Sequence, residues 1–160
     1  MPPFQPYTEP TPRDLKKWSK KGAITYLGLF INETDKETLI AFCQDNNITL
    51  HDNIKAHHVT IKFKPSQLVL HNCEPLLGEQ FTIKVTGYGQ DENVSALRVK
   101  MIKMQSDNVT PHVTMSVSNL EGASAKMSND LDYEDIDGPE ITGTLAFFGR
   151  GKEYTHIPWK

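Results

Sequence analysis

A chain of 160 residues is one domain's worth of polypeptide, long enough to bury a core without disulfide or metal staples. Its 17 lysines and arginines against 20 acidic residues leave a formal charge of −3, which excludes a protein that coats extended DNA yet permits a local basic pocket for a phosphate. No run approaches the roughly 18 apolar residues that a membrane-spanning helix needs, so a cytoplasmic protein without a membrane partner is expected.

The start, MPPFQPYTEPTPRD, has four prolines before residue 11 and cannot hold a regular helix or strand. KKWSKKG at 16–22 sets four lysines around Trp18 and reads as a solvated helix end with its tryptophan on the core. Residues 1–22 are therefore expected to be a tail and first helix, and residues 23–160 a single domain.

From Ile24 the stretch ITYLGLFI alternates: Thr25, Leu27, Leu29 and Ile31 share one side, Tyr26, Gly28 and Phe30 the other, as in a strand with both faces covered. A helix follows, opened by Thr34 with Glu37 three residues on as a capping box, and ending at Asn46. Leu39, Ile40, Phe42 and Cys43 face inward on it, so Cys43 is expected as a buried free thiol rather than the disulfide partner of Cys73. Further strands read at 56–63, 80–88, 94–102, 112–118 and 140–148, with turn residues Gly87, Gly89, Asp91 and Asn93, and a short helix near 126–133. The order implies an α+β domain of two antiparallel sheets with few helices.

Two of these strands share a tripeptide. In HHVTIKF, 57–63, His58, Thr60 and Lys62 take one face while His57, Val59, Ile61 and Phe63 take the core. In PHVTMSV, 111–117, the same phase turns Val113, Met115 and Val117 inward and groups His112, Thr114 and Ser116 opposite. The two histidines are 112 − 58 = 54 residues apart. Two copies are too few for a repeat array, which needs three or more to cover its faces, and fit a pseudo-twofold pair of lobes.

Imidazole titrates near neutral pH, so two histidines across a cleft can act as an acid–base pair while threonine hydroxyls hold a phosphate oxygen. That suits phosphodiester cleavage, where an attacking oxygen loses a proton and a leaving alkoxide gains one, with no metal or cofactor. Adjacent His57 and His58 are expected on opposite strand faces and so cannot chelate one ion, and no Cys-x-x-Cys or His-Glu-x-x-His accompanies them. His57 reads as a partly buried histidine bonded to backbone; His51, His71 and His156 read as loop residues.

His58-Val59-Thr60 and His112-Val113-Thr114 resemble the two H-x-[TS] motifs of the two-histidine (2H) phosphoesterase superfamily. With ITYLGLFI, AHHVTIKF, VTGYG, ALRV, PHVTMSV and KMSND, residues 23–148 are most similar to its Swiss Army Knife RNA repair-like, LigT-like branch. The resemblance implies a bilobal pseudo-twofold fold, two antiparallel sheets facing a central cleft with few outer helices. It also implies hydrolysis of 2′,3′-cyclic phosphates, 2′–5′ linkages or cyclic oligonucleotides, with His58, Thr60, His112 and Thr114 catalytic.

Secondary candidates share that cleft. Tyr26 is placed to stack a base, Lys62 to meet a phosphate, and Ser116 continues the His112 face. Ser128 and Asn129 either cap the short helix or, as the resemblance hints, line the site. A nucleotide or an RNA end is the expected partner. The competing readings are a non-catalytic nucleotide- or RNA-binding module and, within the enzyme class, a viral or phage nuclease that degrades cyclic nucleotide immune signals.

Overall fold

The computed structural model describes residues 24–149 and 151–155, so the proline-rich start, KKWSKKG and His156 lie outside the described residues. β1 (Ile24–Ile31) leads to α1 (Glu33–Asp45), then β2 (Asn53–Ile54), β3 (His58–Phe63), α2 (Gln67–Cys73), β4 (Gln80–Gln90) and β5 (Val94–Met101). β6 (His112–Val117), a 3-10 turn over Ala125–Asp130, β7 (Glu134–Asp135), β8 (Glu140–Gly149) and β9 (Lys152–Tyr154) complete it.

All pairings are antiparallel, and the long strands run β4-β5-β6-β3-β1-β8, with β8 returning to pair with β4. The result is a closed antiparallel barrel with few helices. Two antiparallel sheets facing a central cleft were expected; two seams join their strands into one continuous sheet. One is the pair Val59↔Val113 between β3 and β6, the other the register Gln80↔Thr144 to Lys84↔Glu140 between β4 and β8. Closure removes the strand edges that two open sheets would leave.

The alternation anticipated in the sequence selects the core. Leu27, Leu29, Val59, Ile61, Ile83, Val85, Leu97, Val99, Val113, Met115, Leu145 and Phe147 come from six strands, and Leu39 and Cys43 from α1 close over them. Burying one such aliphatic side chain stabilises by about 1.5–3 kcal/mol. Cys43 and Cys73 are both buried and free, and burial pushes each thiol up to about 12.

The cap of α1 is Asn32, whose side-chain oxygen accepts from the Asp35 N–H at 2.8 Å, and not Thr34. β1 ends at Ile31, so the first residue free to cap is Asn32, and Thr34 already lies inside the helix. α2 was not read from the sequence. It is capped by Ser66 and buries Leu70 and Cys73, and at two turns it shows too little period to detect. Among the described residues no helix is long and apolar enough to cross a membrane.

Candidate active site

The seam between β3 and β6 brings the two His-Val-Thr strands side by side. Antiparallel counting outward from Val59↔Val113 sets Thr114 beside His58 and His112 beside Thr60, so the two imidazoles are diagonal neighbours on the face away from the core. They are close enough for a charge on His112 to disfavour one on His58.

His58 sits against Tyr26 with ring centroids 4.4 Å apart and planes 20° from parallel. Tyr26 Oη approaches His58 Nδ1 at 3.3 Å, and His57 Nδ1 approaches the same nitrogen at 3.0 Å. Burial, then the neighbouring His57 and His112, lowers the His58 pKa to about 3, so the free site holds a neutral ring. Burial, with the Glu153 carboxylate nearby, raises the Tyr26 phenol and keeps it protonated.

His112 donates Nδ1–H to the Thr110 carbonyl at 2.8 Å, which leaves the lone pair of the neutral ring on Nε2. Burial lowers its pKa while the Thr110 carbonyl opposes the shift by favouring the charged ring. Tyr133 stacks beside it at 6.4 Å.

Thr114 Oγ1 lies 2.8 Å from Ser128 Oγ and 3.4 Å from the Ala125 carbonyl. Tyr133 Oη donates to the Ser128 carbonyl at 2.7 Å, so the 3-10 turn is pinned to β6 through the site threonine. The Thr60 hydroxyl has no partner among the described residues, while its carbonyl accepts from Ser106 Oγ at 2.6 Å. The β5–β6 loop thus fills the gap where β3 and β6 diverge.

The secondary candidates separate. Ser128 is fully buried at the site, but Asn129 is exposed and donates to the Lys126 carbonyl at 3.0 Å. Ser116 is fully buried too, its hydroxyl 2.6 Å from Ser95 Oγ and accepting from the His51 N–H at 2.8 Å, which makes it a tie between strands. Lys62 is held by Asp107 at 2.5 Å. Tyr26 lies between His58 on β3 and Phe148 on β8 and is stacked on each, so its ring is already engaged by protein.

His57 departs from the sequence reading. It was placed in the core opposite His58; it is instead half-exposed and in contact with His58. The reason is local: Ala56 adopts φ 49, in the left-handed region, and strand alternation begins only at His58.

Three further residues, Arg98, Tyr133 and Glu153, were missed. Arg98 is paired with His112 across β5 and β6, and its guanidinium donates to the Thr86 carbonyl at 2.8 Å, to Thr86 Oγ1 at 3.2 Å, and to Asp135. Gly87 makes room for it, since a Cβ there would stand 2.7 Å from Arg98 Cζ. The outward phase of Arg98 between Leu97 and Val99 was visible, but its partner strand was not. Phe148, Tyr133 and Glu153 reach the site only through pairings distant in sequence. Among the described residues no group of three or more His, Cys, Asp or Glu is arranged to hold a metal ion.

No protein-family model matches this sequence, and no curated protein matches it significantly. Among solved structures, the crystal structure of a fungal RNA kinase superposes with a TM-score of 0.56 at 13% identity, over 81% of this chain and 46% of that one. The chain therefore spans less than half the length of the kinase it matches, and at that identity the likeness is one of fold.

Proposed function

We propose that this chain is a metal-independent phosphodiesterase of the 2H type, hydrolysing a 2′,3′-cyclic phosphate, a 2′–5′ linkage or a cyclic oligonucleotide. The observation that carries the reading is the seam at Val59↔Val113, which sets both His-x-Thr motifs on one face of adjacent strands. The bilobal form is supported by the barrel's division into β8-β1-β3 and β4-β5-β6, each with its His-Val-Thr strand at the β3/β6 seam.

In the reaction one imidazole Nε2 takes a proton from water as the water oxygen attacks phosphorus. The bond from phosphorus to the leaving oxygen breaks, and the other imidazole, charged, gives that oxygen its proton. Both rings have lowered pKa values in the free site, so the negative charge of a bound phosphate supplies the field that loads one of them. Thr60 donates its hydroxyl proton to a non-bridging oxygen. Thr114, whose hydroxyl donates a long bond to the Ala125 carbonyl in the free site while Ser128 Oγ meets its oxygen, turns that hydrogen to a second such bond and stabilises the charge that grows there.

The shared fold with a protein named as an RNA kinase leans the substrate toward an RNA end. The test is mass spectrometry of a mixed panel, 2′,3′-cyclic mononucleotides, 2′–5′ adenylates and cyclic oligonucleotides, incubated in excess chelator with wild type, His58→Ala and His112→Ala. Cleavage by wild type alone supports the reading and identifies the substrate. No turnover by wild type, or turnover equal in all three, overturns it.

A further inference from the structure

A second imidazole touches His58, and the mechanism above leaves it unused. His57 Nδ1 lies 3.0 Å from His58 Nδ1, and His57 Nε2 lies 3.6 Å from Glu153 Oε2. The His57 ring is held edge-on against Phe30, at 5.2 Å and 83°, and against Phe148, at 6.2 Å and 87°. Glu153 reaches this position because β9 pairs it with Phe148, which β8 in turn pairs with Tyr26.

Two ring nitrogens make a hydrogen bond only if one carries the hydrogen and the other a lone pair. The Glu153 carboxylate accepts only, so it favours the His57 hydrogen on Nε2. Neutral His57 then presents its lone pair at Nδ1, and the hydrogen of the contact belongs to His58 Nδ1. That leaves His58 Nε2 bare. The opposite arrangement would set the bare Nε2 of His57 against a carboxylate. It would also aim both His57 Nδ1–H and Tyr26 O–H at a single lone pair on His58.

We propose that Glu153 and His57 are positioning residues that fix His58 in the tautomer with a bare Nε2, which makes His58 the general base and leaves His112 as the general acid. This rests on the phosphodiesterase reading for its chemical consequence. His112 suits the complementary role, because the Thr110 carbonyl holds its Nδ1–H and favours the doubly protonated ring, whose Nε2–H serves the leaving oxygen. The titratable groups facing His58 are His57 ahead of β3, Tyr26 from β1 and His112 from β6; Glu153 on β9 acts through His57 and Tyr26.

The experiment is long-range 1H–15N correlation NMR of the histidine rings in the full-length chain, with kcat and KM on the substrate found above. Wild type is expected to show His58 as the Nδ1–H tautomer. In His57→Ala the Tyr26 O–H is left to donate to Nδ1, so His58 shifts to the Nε2–H form and kcat falls about 10- to 100-fold, short of the loss of a general base, with KM little changed. Glu153→Gln is expected to move both readouts part of the way, and His57→Asn, whose amide oxygen can accept the same hydrogen, to restore part of the wild-type tautomer and rate. An Nε2–H His58 in wild type, or a tautomer and kcat unchanged in His57→Ala, overturns the relay. The tautomer readout needs no turnover, so it decides the relay even where the panel yields no substrate and the phosphodiesterase reading alone fails.

Discussion

Val59 and Val113 face each other across β3 and β6, both fully buried, and that contact aligns four catalytic candidates without containing any of them. Truncating Val113 to alanine removes two methyl groups from a packed seam, at a cost of about 1–3 kcal/mol in stability. It also loosens the diagonal between His58 and His112. Val113→Ala should therefore lose kcat as well as stability in chemical denaturation, while Val85→Ala, buried in β4 away from the seam, should lose stability with kcat near wild type.

The paired histidines predict non-additive kinetics. A general acid or base is worth about 10²–10⁴-fold, and both act in one transition state. His58→Ala and His112→Ala should each fall by that order, and the double variant should fall little further, because a site that has lost one partner gains little from the other. Steady-state rates of the three proteins check this. A double variant equal to the product of the singles would mean independent roles.

Much of the fold was legible because it is written in local alternation. ITYLGLFI, HVTIKF and HVTMSV each announced a core face, and Leu27, Leu29, Val59, Ile61, Val113, Met115 and Val117 are buried on it; Phe63, read as core, is instead exposed at the end of β3, where no strand residue follows to cover it. What could not be read was set by partners distant in the chain. Arg98 became a neighbour of His112 only through strand pairing, and Glu153 joined the site only through β9. His57 was misplaced because a period-two rule was extended one residue too far, to the residue that joins the left-handed Ala56 to the strand. Ser116 had the right phase, but Ser95 and the backbone of His51 occupy its hydroxyl.

Acid should unfold the protein through its histidines. His58 has a pKa of about 3 in the folded chain against roughly 6.5 unfolded, so between those values the unfolded state binds more protons. Stability is therefore intact above about pH 6.5 and is lost as pH falls toward 3, with a slope of up to about 1.4 kcal/mol per pH unit from this group. The shift of His112 has the same sign and adds to the effect. Denaturation midpoints from pH 7 to pH 4 should fall in wild type and fall less steeply in His58→Gln.

Ser128 offers a way to weaken the site while sparing both histidines. Its hydroxyl is fully buried and meets Thr114 Oγ1 at 2.8 Å. Ser128→Ala removes the hydroxyl that holds Thr114 Oγ1 in place and leaves it only the 3.4 Å bond that it donates to the Ala125 carbonyl, away from a phosphate. One phosphate contact is then lost in the transition state, which should lower kcat by roughly tenfold, the equivalent of one ordinary hydrogen bond of about 1.4 kcal/mol. The pH–rate profile should keep its shape, because neither imidazole changes its partners. A profile displaced along the pH axis would show that Ser128 acts on a histidine instead of on Thr114.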